Sequence, residues 1–307
     1  MRISIFFVGE LHDTGFNSCA LAGAEKASAN GLAEIEIISG IPYDQEKILG
    51  KLRTSMSSTD GVVFIGGQGD ISMPVVAGEF PDKRFAIVQG QKTGPNLSSY
   101  DVRQEDSAFL AGCLAARLTQ SGIVSHLSGH RVRPGLKGRA AFVGGVIQTN
   151  AEVKILTSFC GTQDDNVITN RWALSQISNG ADIIFTMLNG ARQGVIEACG
   201  TSNVRQIGNA LDWCSMRPDI FVASAIARID LGVEQAIADM VNENTPQNIV
   251  EFGLAEGNYA SLSMLDSTPS DLVAEIDEIS SAIRAGEIAI PTEYDGPEFD
   301  LEPVPCS

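Results

Sequence analysis

The sequence predicts an α/β protein built from two doubly wound parallel-sheet lobes. Short apolar runs alternate with longer helical stretches, the pattern of βαβ units. Several runs are apolar throughout, such as Val62-Val63-Phe64-Ile65 and Ile183-Ile184-Phe185. Such runs suit strands covered by helices on both faces. The alternation also occurs twice, once over 2–120 and again over 123–222. The join is Thr119-Gln120-Ser121-Gly122, a helix end with a glycine stop.

The first run, Ile3-Ser4-Ile5-Phe6-Phe7-Val8, reads as a buried strand. It is too short for the apolar region of a leader, and no small-residue cleavage site follows. Either the protein stays inside the cell, or a leader was removed ahead of this numbering. Strands follow over 35–38, 62–65, 85–88 and 98–102, with helices over 16–30, 43–57 and 107–119. The second round places strands over 123–127, 155–159, 183–187, 206–208 and 220–223. Its helices fall over 168–178 and 193–199, and further helices over 231–242 and 270–285. After Arg284 come six acidic residues and no basic ones. Pro291, Pro297, Pro303 and Pro305 break regular structure there. An acidic, Pro-rich tail over 291–307 is therefore expected, either strapped to the surface or partly disordered.

The 307 residues are 44% hydrophobic and 19% charged, too apolar for a disordered chain. With 21 Lys and Arg against 38 Asp and Glu, the net charge is −17. A field of that sign disfavours non-specific binding to nucleic acid or anionic membranes. No apolar run approaches the roughly 18 residues of a membrane-spanning helix. The six cysteines are Cys19, Cys113, Cys160, Cys199, Cys214 and Cys306. No two lie within four residues, so no zinc pattern is present. Cys19, Cys113 and Cys199 fall among Ala, Leu and Gly and read as small core residues. The scattered set fits a reducing compartment.

In open α/β sheets ligands sit beyond the carboxyl ends of the strands. The loops over 9–15, 66–70, 89–96, 189–192 and 209–214 are therefore where function is expected. Asp13-Thr14-Gly15-Phe16-Asn17 opens the first helix, where Asp13 or Thr14 can cap it. Phe16 reads either as a hydrophobic staple or as a platform for a flat ligand, with Asp13 and Asn17 as hydrogen-bonding partners. Gly66-Gly67-Gln68-Gly69-Asp70 allows close backbone approach to a ligand. It is neither a Walker A nor a dinucleotide-binding motif, and a plain tight turn explains it equally well. Asn189-Gly190 follows a strand of the second round. Asp212-Trp213 follows the next one, with the indole either a stacking surface or packed on a helix. Trp172 reads as core. Residues 161–166 resemble a calcium loop only superficially and read as a helix cap.

Catalytic constellations are poorly supported: there is no GxSxG elbow and no HExxH. His126 and His130 do not share a helical face. His12 alone could act as an acid or base, which leaves a hydrolase as a remote reading.

With these loops in hand, the sequence resembles the BMP family (basic membrane protein, PnrA-like), substrate-binding proteins of ABC transporters. The similarity runs from residue 2 to about 292. Asp13-Thr14-Gly15-Phe16-Asn17 with Gly23 resembles the family's Asp-x-x-Phe-Asn segment and following glycine. Gln104-Glu105-Asp106-Ser107-Ala108-Phe109-Leu110-Ala111-Gly112 is similar to its "EQSFLAG" helix start. Ala181-Asp182 after Gly180, Gly194-Val195, the run from Ile207 to Asp212, Ser224 to Asp230, and Gly286-Glu287-Ile288 resemble later segments in the same order.

The resemblance implies a type I periplasmic-binding-protein fold, two lobes joined by a hinge with the ligand clasped in a cleft. It implies one lobe of 1–120 plus about 225–255, and another of 121–224 plus about 256–290. It implies a nucleobase, a nucleoside or a similar heterocycle as ligand, purine favoured, and an ABC permease as partner. No cofactor and no metal are expected. In the family the residue matching Phe16 stacks on the base, that matching Asp13 bonds it, and that matching Asp212 contacts the ribose. The full expected set is Asp13, Phe16, Asn17, Gln68, Gln89, Asp106, Asn189, Gly190, Asp212 and Trp213. Two departures stand out. The family's crossover lysine matches Ala227, beside Arg228, and its strand ending in Ile-Asp ends here in Val88-Gln89. A free base is thereby favoured over an intact nucleoside. The family implies the periplasm or cell envelope; the missing leader and lipobox leave a cytoplasmic ligand sensor as the alternative.

Overall fold

The structure is a computed structural model that describes residues 1–301. Pro303, Pro305 and Cys306 lie outside the described residues. In chain order the first elements are β1 (Arg2–Val8), α1 (Phe16–Ala29), β2 (Glu34–Ile41), α2 (Gln45–Ser55), β3 (Gly61–Ile65), α3 (Gly69–Glu79), β4 (Arg84–Val88) and β5 (Leu97–Val102). Next come α4 (Gln104–Leu118), β6 (Ile123–Ser128), α5 (Arg133–Thr149), β7 (Lys154–Phe159), α6 (Asn166–Ser178), β8 (Ile183–Met187), α7 (Arg192–Ser202), β9 (Arg205–Ala210), α8 (Trp213–Met216) and β10 (Phe221–Ala227). The last are α9 (Ile229–Val241), β11 (Val250–Phe252), β12 (Ala260–Met264) and α10 (Ser270–Arg284).

The chain divides into two units. Met1–Arg103 and Arg228–Tyr259 form the first; Gln104–Ala227 and Ala260–Ser307 form the second. The backbone passes from one to the other at 103/104, 227/228 and 259/260. Helix α4, which the sequence reading left in the first lobe, belongs to the second unit. The reason is α5, against which α4 packs through glycines. A Cβ at Gly112 would overlap the Phe142 carbonyl oxygen, and one at Gly145 would overlap that of Phe109.

The first unit holds a six-stranded sheet ordered β11-β5-β4-β3-β1-β2, parallel at every pairing. Phe6, Phe64, Ile87, Leu52 and Met73 are fully buried in its core. The second unit holds a sheet ordered β12-β10-β9-β8-β6-β7. Only β12, at its edge, runs antiparallel. Leu127, Ile184, Val195 and Phe221 fill its core.

Every strand expected from the sequence is present, several of them longer. Five elements are new: α3, α5, α8, β11 and β12. Helix α3 carries Pro74 and Gly69, and α5 carries Pro134 and four glycines. Both compositions score poorly as helix. Packing overrides propensity, most plainly in α5, where Gly145 lets the α4 backbone approach and Gly138 lets Met187 approach. Short β11, β12 and α8 gave no periodic signal. Among the described residues, no helix is long and apolar enough to cross a membrane.

Cys113, Cys160, Cys199 and Cys214 are free thiols. Burial pushes Cys19 and Cys113 up to about 11 and Cys199 to about 12, so they are inert packing residues.

Candidate functional site

Each sheet has one topological switch point, where successive connections leave in opposite directions. In the first unit it lies between β1 and β3, in the second between β6 and β8. The loops beyond those strand ends form one loop cluster per unit.

In the first unit the loop after β1 is held by its own side chains. Asp13 is 1% exposed, and its carboxylate accepts from the backbone N–H groups of Gly15, Asn17 and Ser18, each at 2.9 Å. It is the cap of α1. Asn17 donates its amide hydrogens to the carbonyls of Val8 (2.9 Å) and Glu10 (2.7 Å). These two residues brace the loop, and the ring they present is Phe16, half-buried at the first position of the helix. Gly66, with a φ of 105°, turns the chain after β3 beside that ring. A Cβ on Gly66 would lie 3.8 Å from Phe16 Cε1 and 2.7 Å from Gln68 Oε1. Phe16 and Gln68 thus flank one glycine turn.

Gln89 sits one strand further along, at the carboxyl end of β4. Its φ is 70°, in the left-handed region that disfavours a side chain. It is 1% exposed, and Nε2 donates to the Val102 carbonyl at 2.8 Å. Its Oε1 is buried with no hydrogen-bond partner among the described residues. A strained residue with an unused acceptor is a common mark of a binding position. Below it, Gln91 takes Asp70 Oδ1 on its N–H (2.7 Å) and Asp101 Oδ2 on its amide (2.6 Å). His12 is exposed on the β1–α1 loop.

In the second unit four loops are wired together. The Gln163 carbonyl accepts from Ala191 N–H (2.8 Å) and its Oε1 from Asn189 N–H (3.2 Å). Gly129, after β6, packs flush on Thr162 and Gln163. Asp165 caps α6 by accepting from Val167 and Ile168, the role expected for that segment. Arg192, 2% exposed, reaches Thr186 Oγ1 (3.0 Å), the Leu188 carbonyl and Asn209 Oδ1 (2.6 Å). It thereby ties the Asn189-Gly190 turn to the end of β9.

Asp212 caps α8 and accepts from Cys214 Sγ (2.9 Å) and Ser263 Oγ (3.0 Å). Burial pulls its carboxyl upward, but these hydrogen bonds and Ser215 outweigh it and hold the pKa below the ordinary value. Trp213 is 8% exposed, packed on Gly208 and Phe221 with the Arg192 guanidinium over the ring. The indole is packed on strands β9 and β10 and against Arg192, the first residue of α7. Trp172 is partly buried against the same core.

Asp106 is 2% exposed in the first turn of α4. Its neighbour Glu105 forms a buried ion pair with Lys137 of α5. The structure therefore brings Phe16, Asp13, Asn17 and Gln68 together in the first unit, and Asn189, Gly190, Asp212 and Trp213 together in the second. Sequence reasoning missed Gln163 and the loop after β6. The loop, Gly129-His130-Arg131-Val132, carries no motif, and the capping role of Asp165 accounts for the segment that holds Gln163. Among the described residues, no group of three or more His, Cys, Asp or Glu could hold a metal ion.

Residues 1–293 match the Bmp family model, described as ABC transporter substrate-binding protein PnrA-like. Basic membrane protein A of Borreliella burgdorferi is 25% identical, over 98% of this chain and 91% of that protein. A purine-binding protein of Brucella abortus is 23% identical, over 69% of this chain and 60% of that protein. An ABC transporter system solute-binding protein from Aeropyrum pernix K1 matches with a TM-score of 0.82 at 19% identity, covering 96% of this chain and 94% of that one. The fold is that of the type I periplasmic binding proteins.

Proposed function

The chain belongs to the PnrA-like family of ABC transporter substrate-binding proteins, and on that premise we propose that its cargo is a flat heterocycle, a purine base before an intact nucleoside. The observation that carries this reading is Phe16. An aromatic ring stands half-buried at a helix start, its loop braced by Asp13 and Asn17, beside a glycine turn that leaves its flank clear. That arrangement suits stacking on a planar ring. Gln89 supplies a buried acceptor for a ring or exocyclic N–H. Asn189 and Asp212 supply polar contacts from the second unit. Ala227, where the family's sugar-binding lysine is absent, favours the free base. The purine-binding relative supports the same class.

In this reading the ligand is held by both half-sites and shifts the population toward a closed state. A permease would take the closed form at the cell envelope. The ligand leaves chemically unchanged. The test is native mass spectrometry of the purified protein, followed by denaturation and identification of what is released. An intact purine supports the proposal. An empty protein with no thermal shift against bases and nucleosides overturns it.

A further inference from the structure

The family match stops at residue 293, yet the chain continues in ordered contact with the second unit. Pro291 packs on Gly144 of α5. The Tyr294 hydroxyl donates to the Pro297 carbonyl at 2.7 Å, turning the tail. Glu298 then pairs with both Arg131 and Arg139. The Arg139 guanidinium lies 4.8 Å from the Tyr294 ring centre and 5.1 Å from that of Phe159. Arg131 lies 4.8 Å from the Phe159 ring. Phe299 closes the strap on β7, the edge strand. Its N–H donates to the Thr157 carbonyl and its carbonyl accepts from Ser158 Oγ, both at 2.8 Å.

Arg131 belongs to the loop that follows β6, one of the two at this unit's switch point. That loop continues into the wired rim. Gly161 N–H donates to the Gly129 carbonyl at 3.1 Å, Gly129 packs on Gln163, and Gln163 holds the backbone of Asn189 and Ala191. A chain of direct contacts runs from Glu298 to the Asn189-Gly190 turn.

We propose that Glu298 is a positioning residue for ligand capture: by gripping Arg131 and Arg139 it presets the 129–132 loop and, through Gln163, the 189–191 turn. This rests on the binding reading above, since it concerns that half-site. A carboxylate shared by two guanidiniums is a strong, oriented contact. A rim ordered before the ligand arrives removes part of the ordering cost of binding. The tail, which lies beyond the family match, would then set how well the second half-site is formed.

The test is hydrogen exchange of the full chain without ligand, comparing wild type with Glu298→Ala and Glu298→Asp. In Glu298→Ala the amides of 129–132 and 189–191 should exchange about tenfold faster, as expected for loss of charge-assisted hydrogen bonds. The helix Phe16–Ala29, in the other unit, should be unchanged. Glu298→Asp should return both segments toward wild type. Unchanged exchange, or loosening confined to 129–132, overturns the proposal, as does uniform loosening of the whole unit. Should Glu298→Ala not fold, Tyr294→Ala, which removes the ring over Arg139 and the hydroxyl bond to Pro297 but keeps the carboxylate, is read at the same amides. Because no ligand is used, failure here leaves the heterocycle reading standing, and failure to recover a heterocycle leaves this result standing.

Discussion

The Arg192 guanidinium carbon lies 4.8 Å from the centre of the Trp213 ring. Both residues are buried, and the same arginine bonds Thr186, Leu188 and Asn209. This stack joins the loops after β8 and β9 into one body.

Replacing Arg192 by Met should therefore destabilise the fold by about 3 kcal/mol. Hydrogen bonds to a charged donor contribute about 1.5–3 kcal/mol each and are not additive here. A urea midpoint series checks this. A loss below about 1 kcal/mol would show that the buried arginine is not what holds these loops together.

Phe16 and Asp13 are close in sequence and should separate in experiment. Phe16→Ala removes a half-buried ring and should lower affinity for the recovered heterocycle at least about tenfold, with lost burial added to the stacking term. Its unfolding midpoint should move little. Asp13→Ala removes a cap accepting three backbone N–H groups and should cost about 2 kcal/mol of stability. Calorimetric titration beside thermal melts of both variants distinguishes the roles. Equal affinity in Phe16→Ala would take the ring out of the site.

Most of the fold is legible because hydrophobic periodicity reports burial directly. The strands beginning at Ile3, Val62 and Ile183 are apolar on both faces because helices cover both faces. The longer helices that failed to show, α3 and α5, carry proline together with glycine, which breaks the helical signal in their sequences. The site is legible in its chemistry and not in its wiring. Asp13 could be seen as a cap, but nothing in the sequence tells which carbonyls Asn17 will meet. Trp213 beside an acid reads as a binding pair; that Arg192, 21 residues away, packs on its ring is seen only in the fold. Gln89 could be flagged by its place after a strand and by resemblance; its positive φ and unused oxygen exist only after folding.

The α4–α5 contact gives a paired prediction. Gly145→Ala gains up to about 1 kcal/mol in helix propensity. It also drives a Cβ into the Phe109 carbonyl, a backbone contact that cannot yield cheaply, and overpacking costs about 1–3 kcal/mol. The net change should be destabilising. Gly50→Ala, on exposed α2 with nothing within 4 Å of the new Cβ, should instead stabilise by up to about 1 kcal/mol. Opposite signs in thermal melts are the expected result; a stabilised Gly145→Ala would mean the helices are free to separate.

His126 makes stability depend on pH in a definite window. It is fully buried, bonded to Thr157 Oγ1 (3.0 Å) and Ser128 Oγ (2.7 Å) among Phe142, Phe159 and Phe185. Burial first, and the nearby Arg139 second, push its pKa down to about 3, with Glu298 opposing. Above the unfolded value of 6.5 both states are neutral and nothing changes. Below it the unfolded chain takes a proton that the folded chain refuses, so stability falls as pH falls, levelling near pH 3. The slope is about 1.4 kcal/mol per pH unit, or about 2 kcal/mol lost by pH 5. Burial depresses His130 too, which adds to the slope in the same sense. Between pH 7 and 5, before most carboxylates titrate, His126→Asn should flatten most of this dependence in denaturant melts. An undiminished slope in that variant would place the proton-linked loss elsewhere.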